Sequence, residues 1–405
     1  MPTPPTEQAG PDLLTSHFAD AVREAEQIIT GAPHIESEQD LAEGYDYLAG
    51  SIRASLTLAW AYQRDFPFFV ASTGPYTKLG LDNPDTLYFH AYLREDAEYV
   101  VTGRRGTTAD LSFQVLAGDY SPVQLPDNLT AFDDRDIETG PDGSFELRFG
   151  PPGGRRAGRN YFALGPGSAM LIVREVYSDW STEQRGTIAI RRGDLAGSAP
   201  PRPDPAAMAK RYRVAGKILI SRLQTFLAFP QWFYLNLPPN TVTEPRPTPG
   251  GLATQFSAVG HYELREDQAM IVTVPAAPKD VAPYQGIQLG SMWYVSLDYI
   301  HHQTSLTADQ ARHDPDGKLR FVISERDPGV ANWLECTGHR RGYIQLRWQR
   351  LSRALRAEDG PTADVVPVAE LPERLTFYHE ARVSKAEYRD RIAARQAAVA
   401  QRMLG

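Results

Sequence analysis

The chain has 405 residues and a formal net charge of −8. That length allows one to three domains and a core burying about three-quarters of the unfolded chain's surface. The acidic balance excludes nucleic acid as the expected partner, and no apolar run approaches the roughly 20 residues of a membrane helix. A single cysteine, Cys336, excludes an intramolecular disulfide and fits a reducing, cytoplasmic compartment.

Residues 1–11 are Pro-rich and polar, with neither the basic start nor the apolar stretch of a secretory signal, and read as a tail. Helical spacing runs over 12–30 and 36–64. In the second, Leu41, Tyr45, Leu48, Ile52 and Leu56 recur at three or four residues, with a start at Glu36/Ser37. From Thr73 the period changes to two, and short β-like runs broken by Gly, Pro and Asp continue to about Arg192. A Pro-rich linker over 198–205 leads into a helix over 206–228. A second Pro-rich stretch, 237–249, opens another β-like region reaching Leu351. A basic amphipathic helix over 385–403, whose Arg-rich face reads as solvated, closes the chain.

The two β-like regions match each other. His90-Ala-Tyr-Leu-Arg-Glu-Asp96 aligns with His261-Tyr-Glu-Leu-Arg-Glu-Asp267, identical at five of seven positions. Val101-Thr102 matches Val272-Thr273, Asp142-Gly143 matches Asp316-Gly317, Asn160 matches Asn332 and Arg174 matches Arg347, all in order at offsets of 171 to 174. A weaker match joins Asp119-Tyr120 to Asp298-Tyr299. A unit of about 170 residues is a whole domain rather than a solenoid repeat. The expected fold is mainly β with flanking helices, a tandem double jelly roll or β-sandwich. Its organisation is a tail and helices over 1–69, a first β domain over 70–197, a linker and helix over 198–239, a second β domain over 240–352 and a helical extension over 353–405.

Three stretches carry a resemblance: Asp82-Asn-Pro-Asp85, Ser296-Leu-Asp-Tyr-Ile-His-His-Gln-Thr-Ser-Leu306, and Asp327-Pro-Gly-Val-Ala-Asn-Trp-Leu334 with Arg347-Trp-Gln349. Together they resemble the domain of unknown function 1214, often found beside its companion 1254, across roughly 240–350 and with fewer matches back to about 70. The resemblance implies a double jelly roll like that of large-virus capsid proteins, and no established reaction. Double jelly rolls in other families include glycoside hydrolases, an analogy of fold alone.

Duplication sorts the candidates. Residues present in both copies, His90/His261, Arg94/Arg265, Asp142/Asp316, Asn160/Asn332 and Arg174/Arg347, are assigned to the fold, and Arg347 is read as able to pair a carboxylate. Unduplicated residues are the candidates for chemistry. In 293–299 the odd positions form an apolar face and Tyr294, Ser296 and Asp298 a polar one, as in a strand. Asp298 then precedes His301 and His302, and a carboxylate beside an imidazole orients it as a general base. The alternative is a polar turn capping a helix at 306–311. Asp82 and Asp85, before a strand bearing Tyr88 and His90, read as a complementary acid pair or as a tight turn. Tyr88, Tyr299, His302 and Gln303 would hold substrate. Adjacent histidines on a strand point to opposite faces, so no metal is expected, and the lack of a phosphate loop leaves no expected cofactor. Two readings follow. The first is a cofactor-independent enzyme, a hydrolase or lyase, acting by acid–base chemistry on a small polar or amphipathic molecule, with glycoside-type hydrolysis as one case. The other is a non-catalytic small-molecule binder or a homo-oligomeric assembly protein. A cleft uniting Asp82 or Asp85 with Asp298 and His301 favours the enzyme.

Overall fold

The computed structural model describes residues 13–118, 126–153, 159–248 and 254–404. Two helices come first, α1 (Ser16–Thr30) and α2 (Glu38–Ala61). The start of α2 is a capping box: the Ser37 hydroxyl accepts from the Asp40 backbone N–H while the Asp40 carboxylate accepts from that of Ser37. Strands β1 (Thr86–Tyr92), β2 (Tyr99–Arg104), β3 (Asp110–Leu116), β4 (Asn128–Asp133), β5 (Ser144–Gly150), β6 (Tyr161–Ala163), β7 (Met170–Val176) and β8 (Thr187–Arg192) build the first unit. Helix α3 (Pro205–Phe233), capped by Asp204 with Pro205 in its first turn, links it to the second. There follow β9 (Thr241–Val242), β10 (Arg246–Pro247), β11 (Phe256–Glu263), β12 (Gln268–Pro275), β13 (Tyr284–Gly290), β14 (Ser305–Thr307), β15 (Lys318–Ser324), β16 (Trp333–Glu335), β17 (Arg341–Gln349) and β18 (Thr362–Pro367). Short helices α4 (Leu371–Arg374) and α5 (Tyr378–Ala381) precede α6 (Lys385–Leu404).

The strands form four sheets in two sandwiches with flanking helices. The first unit stacks the sheet β1-β7-β3-β4 on β6-β5-β2-β8; the second stacks β11-β17-β13-β14 on β16-β15-β12-β18. The two orders are the same strand for strand, down to a parallel pair in each unit, β5/β6 and β15/β16. The second unit adds β9 and β10 along β11. Its last strand, β18, comes from the segment read as a C-terminal extension, and lies against β12 as β8 lies against β2.

Each sandwich encloses its own apolar core. Val101, Phe113, Phe149, Leu171 and Val173 fill the first; Val272, Ile287, Phe321, Leu346 and Trp348 fill the second. Repeated residues do repeated work. The Asn160 side chain brackets the Glu138 backbone, accepting its N–H at 2.7 Å and donating to its carbonyl at 2.9 Å; Asn332 does the same to Arg312, both at 2.8 Å. Gly143 and Gly317 take the left-handed φ of +79° and +77° that their Asp-Gly turns require.

Three local expectations change. The Arg-rich face of α6 is not solvated: Arg395 and Arg402 are buried over the Trp180 ring, and Arg395 donates to the Tyr299 and Ser305 carbonyls. Residues 306–311 do not begin a helix: Ser305–Thr307 pairs with β13, whose exposed edge outweighs the local helical spacing. The 293–299 segment is a turn rather than a strand, with Tyr294 at φ +57° and both the odd and the even positions buried, Asp298 excepted. The comparison of Asp119-Tyr120 with Asp298-Tyr299 falls outside the described residues.

Candidate functional site

The outer faces of β1-β7 and β11-β17 meet under α3 and leave a cavity of about 490 Å³. Tyr88 and His90 of β1 and Ile172 and Arg174 of β7 form one wall; Ser257, Val259, Gln345 and Arg347 form the other. The roof is one face of α3, on which Arg222, Phe226, Phe229 and Phe233 recur at helical spacing. Phe229 stacks on Tyr294, which closes the far side with Tyr234. Residues 79–82 complete it. Gly80 is needed there: its φ is +64°, and a Cβ would sit 2.6 Å from the Phe226 ring.

Polar groups on the lining fall into two kinds. Arg347 is fully engaged by neutral oxygens, donating to the Gln288 side chain, to the Leu81 carbonyl at 2.6 Å and to Gln345 Oε1 at 2.7 Å. The expected carboxylate partner is thus replaced by an amide and carbonyl cradle. Asp82 accepts from the Ser296 N–H at 3.1 Å and its hydroxyl at 2.9 Å, and burial raises its carboxyl above the usual range. His90 Nδ1 lies 3.0 Å from Ser72 Oγ; burial, with the Arg222 and Arg174 guanidiniums nearby, pushes its pKa down to about 3, so the ring is neutral. Arg174 and Arg222 are different. No described residue hydrogen-bonds either guanidinium, and Arg174 Nη1 and Arg222 Nε are buried without a partner.

A smaller cavity of about 250 Å³ lies on the other side of Ser296, lined by Lys78, Glu43, Asp46, Asp298, His302 and His339 among others. Lys78 Nζ donates to the carbonyls of Ser296 and Leu297 at 2.7 and 3.0 Å, and burial lowers its pKa. His339 Nε2 meets Glu43 at 2.8 Å; burial opposes its protonation, but the Glu43 carboxylate outweighs this and the net shift is upward.

The residues singled out from sequence do not converge. Asp298 and His301 do pair, Oδ2 to Nδ1 at 2.8 Å, but on a half-exposed turn where the same carboxylate also accepts the Ile300 and His301 backbone N–H groups. Partial burial would raise Asp298, and these hydrogen bonds more than offset it, leaving it lowered. His301 lines neither cavity; Asp298 and His302 line the small one and Asp82 and Tyr88 the large one. His302 Nδ1 is held by Glu335 at 2.8 Å. Asp85 is not a surface acid. It is buried between the sandwiches, accepting from Trp180 Nε1 at 2.8 Å and the Tyr284 hydroxyl at 2.6 Å, and it lines neither cavity. Tyr299 is buried behind Trp180, with its carbonyl accepting from Arg395. Gln303 staples its loop to the Ala331 and Trp333 carbonyls at 3.0 and 2.6 Å. Asp85, expected as an acid, and Tyr299 and Gln303, expected to hold substrate, thus each have partners within the protein.

The arginines of the large cavity were missed, two of them because duplication assigned them to the fold. The ladders separate that pair. With His90 equivalent to His261, Tyr88 is equivalent to Val259; Tyr88 faces Arg174, whereas Val259 faces Gln345. Arg347 faces Ser257, the equivalent of Thr86, whose partner is Val176. The two arginines share a face and occupy adjacent rungs, so they are not equivalents. For Arg222 the available signal was a lone guanidinium in the aromatic face of a helix.

No family model matches the chain, and no curated protein matches it. Among solved structures it is similar to an uncharacterised protein of Burkholderia cenocepacia, with 28% identity, a TM-score of 0.77, and coverage of 88% of this chain and 98% of the other. That protein shares the fold across nearly its whole length. A protein of Vibrio parahaemolyticus aligns over 85% of this chain and 100% of its own at 12% identity and a TM-score of 0.45, a likeness too distant to carry an argument. No helix among the described residues is long and apolar enough to cross a membrane.

Proposed function

We propose that the chain binds a small amphipathic molecule in the cavity between its two sandwiches. The observation that carries this is the lining: an aromatic roof from α3 facing buried polar groups on both sheets, in a space of about 490 Å³. Ligand sites are of this size and composition, mostly apolar with a few converging polar groups. The finer family placement, a double jelly roll of the domain-1214 kind, is part of the proposal; the shared strand order of the two units and the three sequence stretches support it.

One observation favours a second reading, the cofactor-independent hydrolase or lyase. Asp82 faces the large cavity with a carboxyl that burial pushes toward its protonated form, as a general acid needs. Glycoside-type hydrolysis needs a second carboxylate about 5–10 Å away, and Asp82 is the one acidic side chain among the described residues of that lining.

The binding reading is tested with the neutral fluorophore N-phenyl-1-naphthylamine. The wild type is expected to bind it with enhanced fluorescence, and Val259→Phe, which fills the space from the β11-β17 wall, is expected to lose that binding while keeping its circular dichroism spectrum. No binding by the wild type, or equal binding by a folded Val259→Phe variant, refutes the reading.

A further inference from the structure

We infer that the molecule held in the inter-sandwich cavity is an amphipathic carboxylate, its anion gripped by Arg174 and Arg222 and its apolar body laid along the aromatic face of α3. This rests on the binding reading above and names its ligand class. Arg222 is 94% buried on α3 and Arg174 stands on β7 opposite it, both on the lining. A buried guanidinium carries five donors and cannot shed its charge, so leaving it unpaired is strongly unfavourable in a folded protein. Proteins keep such groups where an anion completes them.

The other charges of the cavity do not complete these two. Asp82 is engaged by Ser296 and faces the Lys78 ammonium and Arg347. His90, which both free arginines flank, is neutral and offers no negative charge. Arg347 already has its three neutral acceptors. What is left is a pair of guanidinium forks at one end of the space, next to His90. Phe226 and Phe229 lie one and two helical turns beyond Arg222, and the exposed Trp232 and Arg246 form the rim. Two forks around one site suit the planar, bidentate geometry of a carboxylate. A dianion is disfavoured because Asp82 already places one negative charge on the same lining.

The experiment is isothermal titration calorimetry of the full chain with 4-phenylbutyrate, its uncharged isostere 4-phenylbutanamide, and 3-phenylpropyl phosphate. The acid is expected to bind about tenfold or more tighter than the amide, the preference that one charge-assisted contact supplies. Arg174→Met and Arg222→Met should each remove that preference, weakening the acid while leaving the amide within about twofold. Without ligand, Arg222→Met should melt at the same temperature as wild type or higher, because it removes an uncompensated charge. Equal affinity for acid and amide, or tighter binding of the phosphate, overturns the carboxylate assignment while the cavity reading stands. A marked loss of melting temperature in Arg222→Met overturns it too, since the guanidinium would then be bonded within the protein. Failure of all three probes together with N-phenyl-1-naphthylamine refutes the cavity reading and this inference with it.

Discussion

Asp110, at the start of β3, is 1% exposed, and neither carboxylate oxygen has a hydrogen-bond partner among the described residues. Burial, reinforced by the Asp133 and Asp134 carboxylates, pushes its pKa up to about 7. The nearby cations do not neutralise it: Arg105 and Arg350 both bond Asp134, each at 2.9 Å, and Arg135 holds Asp133 at 2.6 Å. Unfolded, Asp110 loses its proton near pH 4; folded, it keeps it to about pH 7. Between those values the folded state binds more protons, so this residue's contribution to stability falls as pH rises, by about 1.4 kcal/mol per unit, and levels off above pH 7. The full effect is about 4 kcal/mol, an upper bound for a site this close to other charges. Asp110→Asn keeps the shape and abolishes the titration. Urea unfolding of both proteins at half-unit steps from pH 4 to 8.5 should show curves that nearly meet at pH 4 and diverge in favour of the asparagine variant until about pH 7. A variant less stable than wild type at pH 8 would refute the reasoning, because it would mean the ionised carboxylate is bonded in the folded protein.

Removing the repeated brackets should cost similar amounts in the two copies: Asn160→Ala gives up the two bracket bonds and one further bond to the Glu146 carbonyl, Asn332→Ala gives up two, and each should lower stability by about 1–3 kcal/mol in denaturant titrations. If only one is destabilised, the two asparagines do not do equivalent work. Asp298→Asn and His301→Ala alter a half-exposed pair and should leave unfolding free energy within about 1 kcal/mol of wild type. A larger loss in either would show that this turn holds the fold together.

The parts of the fold written in local pattern were legible in the sequence. Helix α2 announces itself through Leu48, Ile52 and Leu56 and the serine before them, and the doubled unit through the recurring His-x-x-Leu-Arg-Glu-Asp stretch. What depended on distant partners was not. The apolar residues of 293–299 alternate as in a strand, yet Trp293 packs on α1, α2 and α3 while its indole N–H reaches the Asp40 carbonyl at 2.8 Å, and that docking overrides the local period. Asp85 looked like a reactive acid because nothing near it in sequence reveals Trp180 or Tyr284, the groups that engage it. The candidate site was hidden for the same reason. Its arginines come from β7 and α3, whose approach only the folded chain brings about, and one of them was set aside by an alignment two residues out of step with the ladder.

Helix α3 is at once the connection between the sandwiches and the roof of the cavity. A single unit has one wall of that space, and two separate units brought together would lack its ceiling. The arrangement therefore belongs to the joined chain. It also relieves the copies of any need to be alike where they face each other: Arg174 and Gln345 stand on equivalent rungs, so the two walls of one space differ in charge.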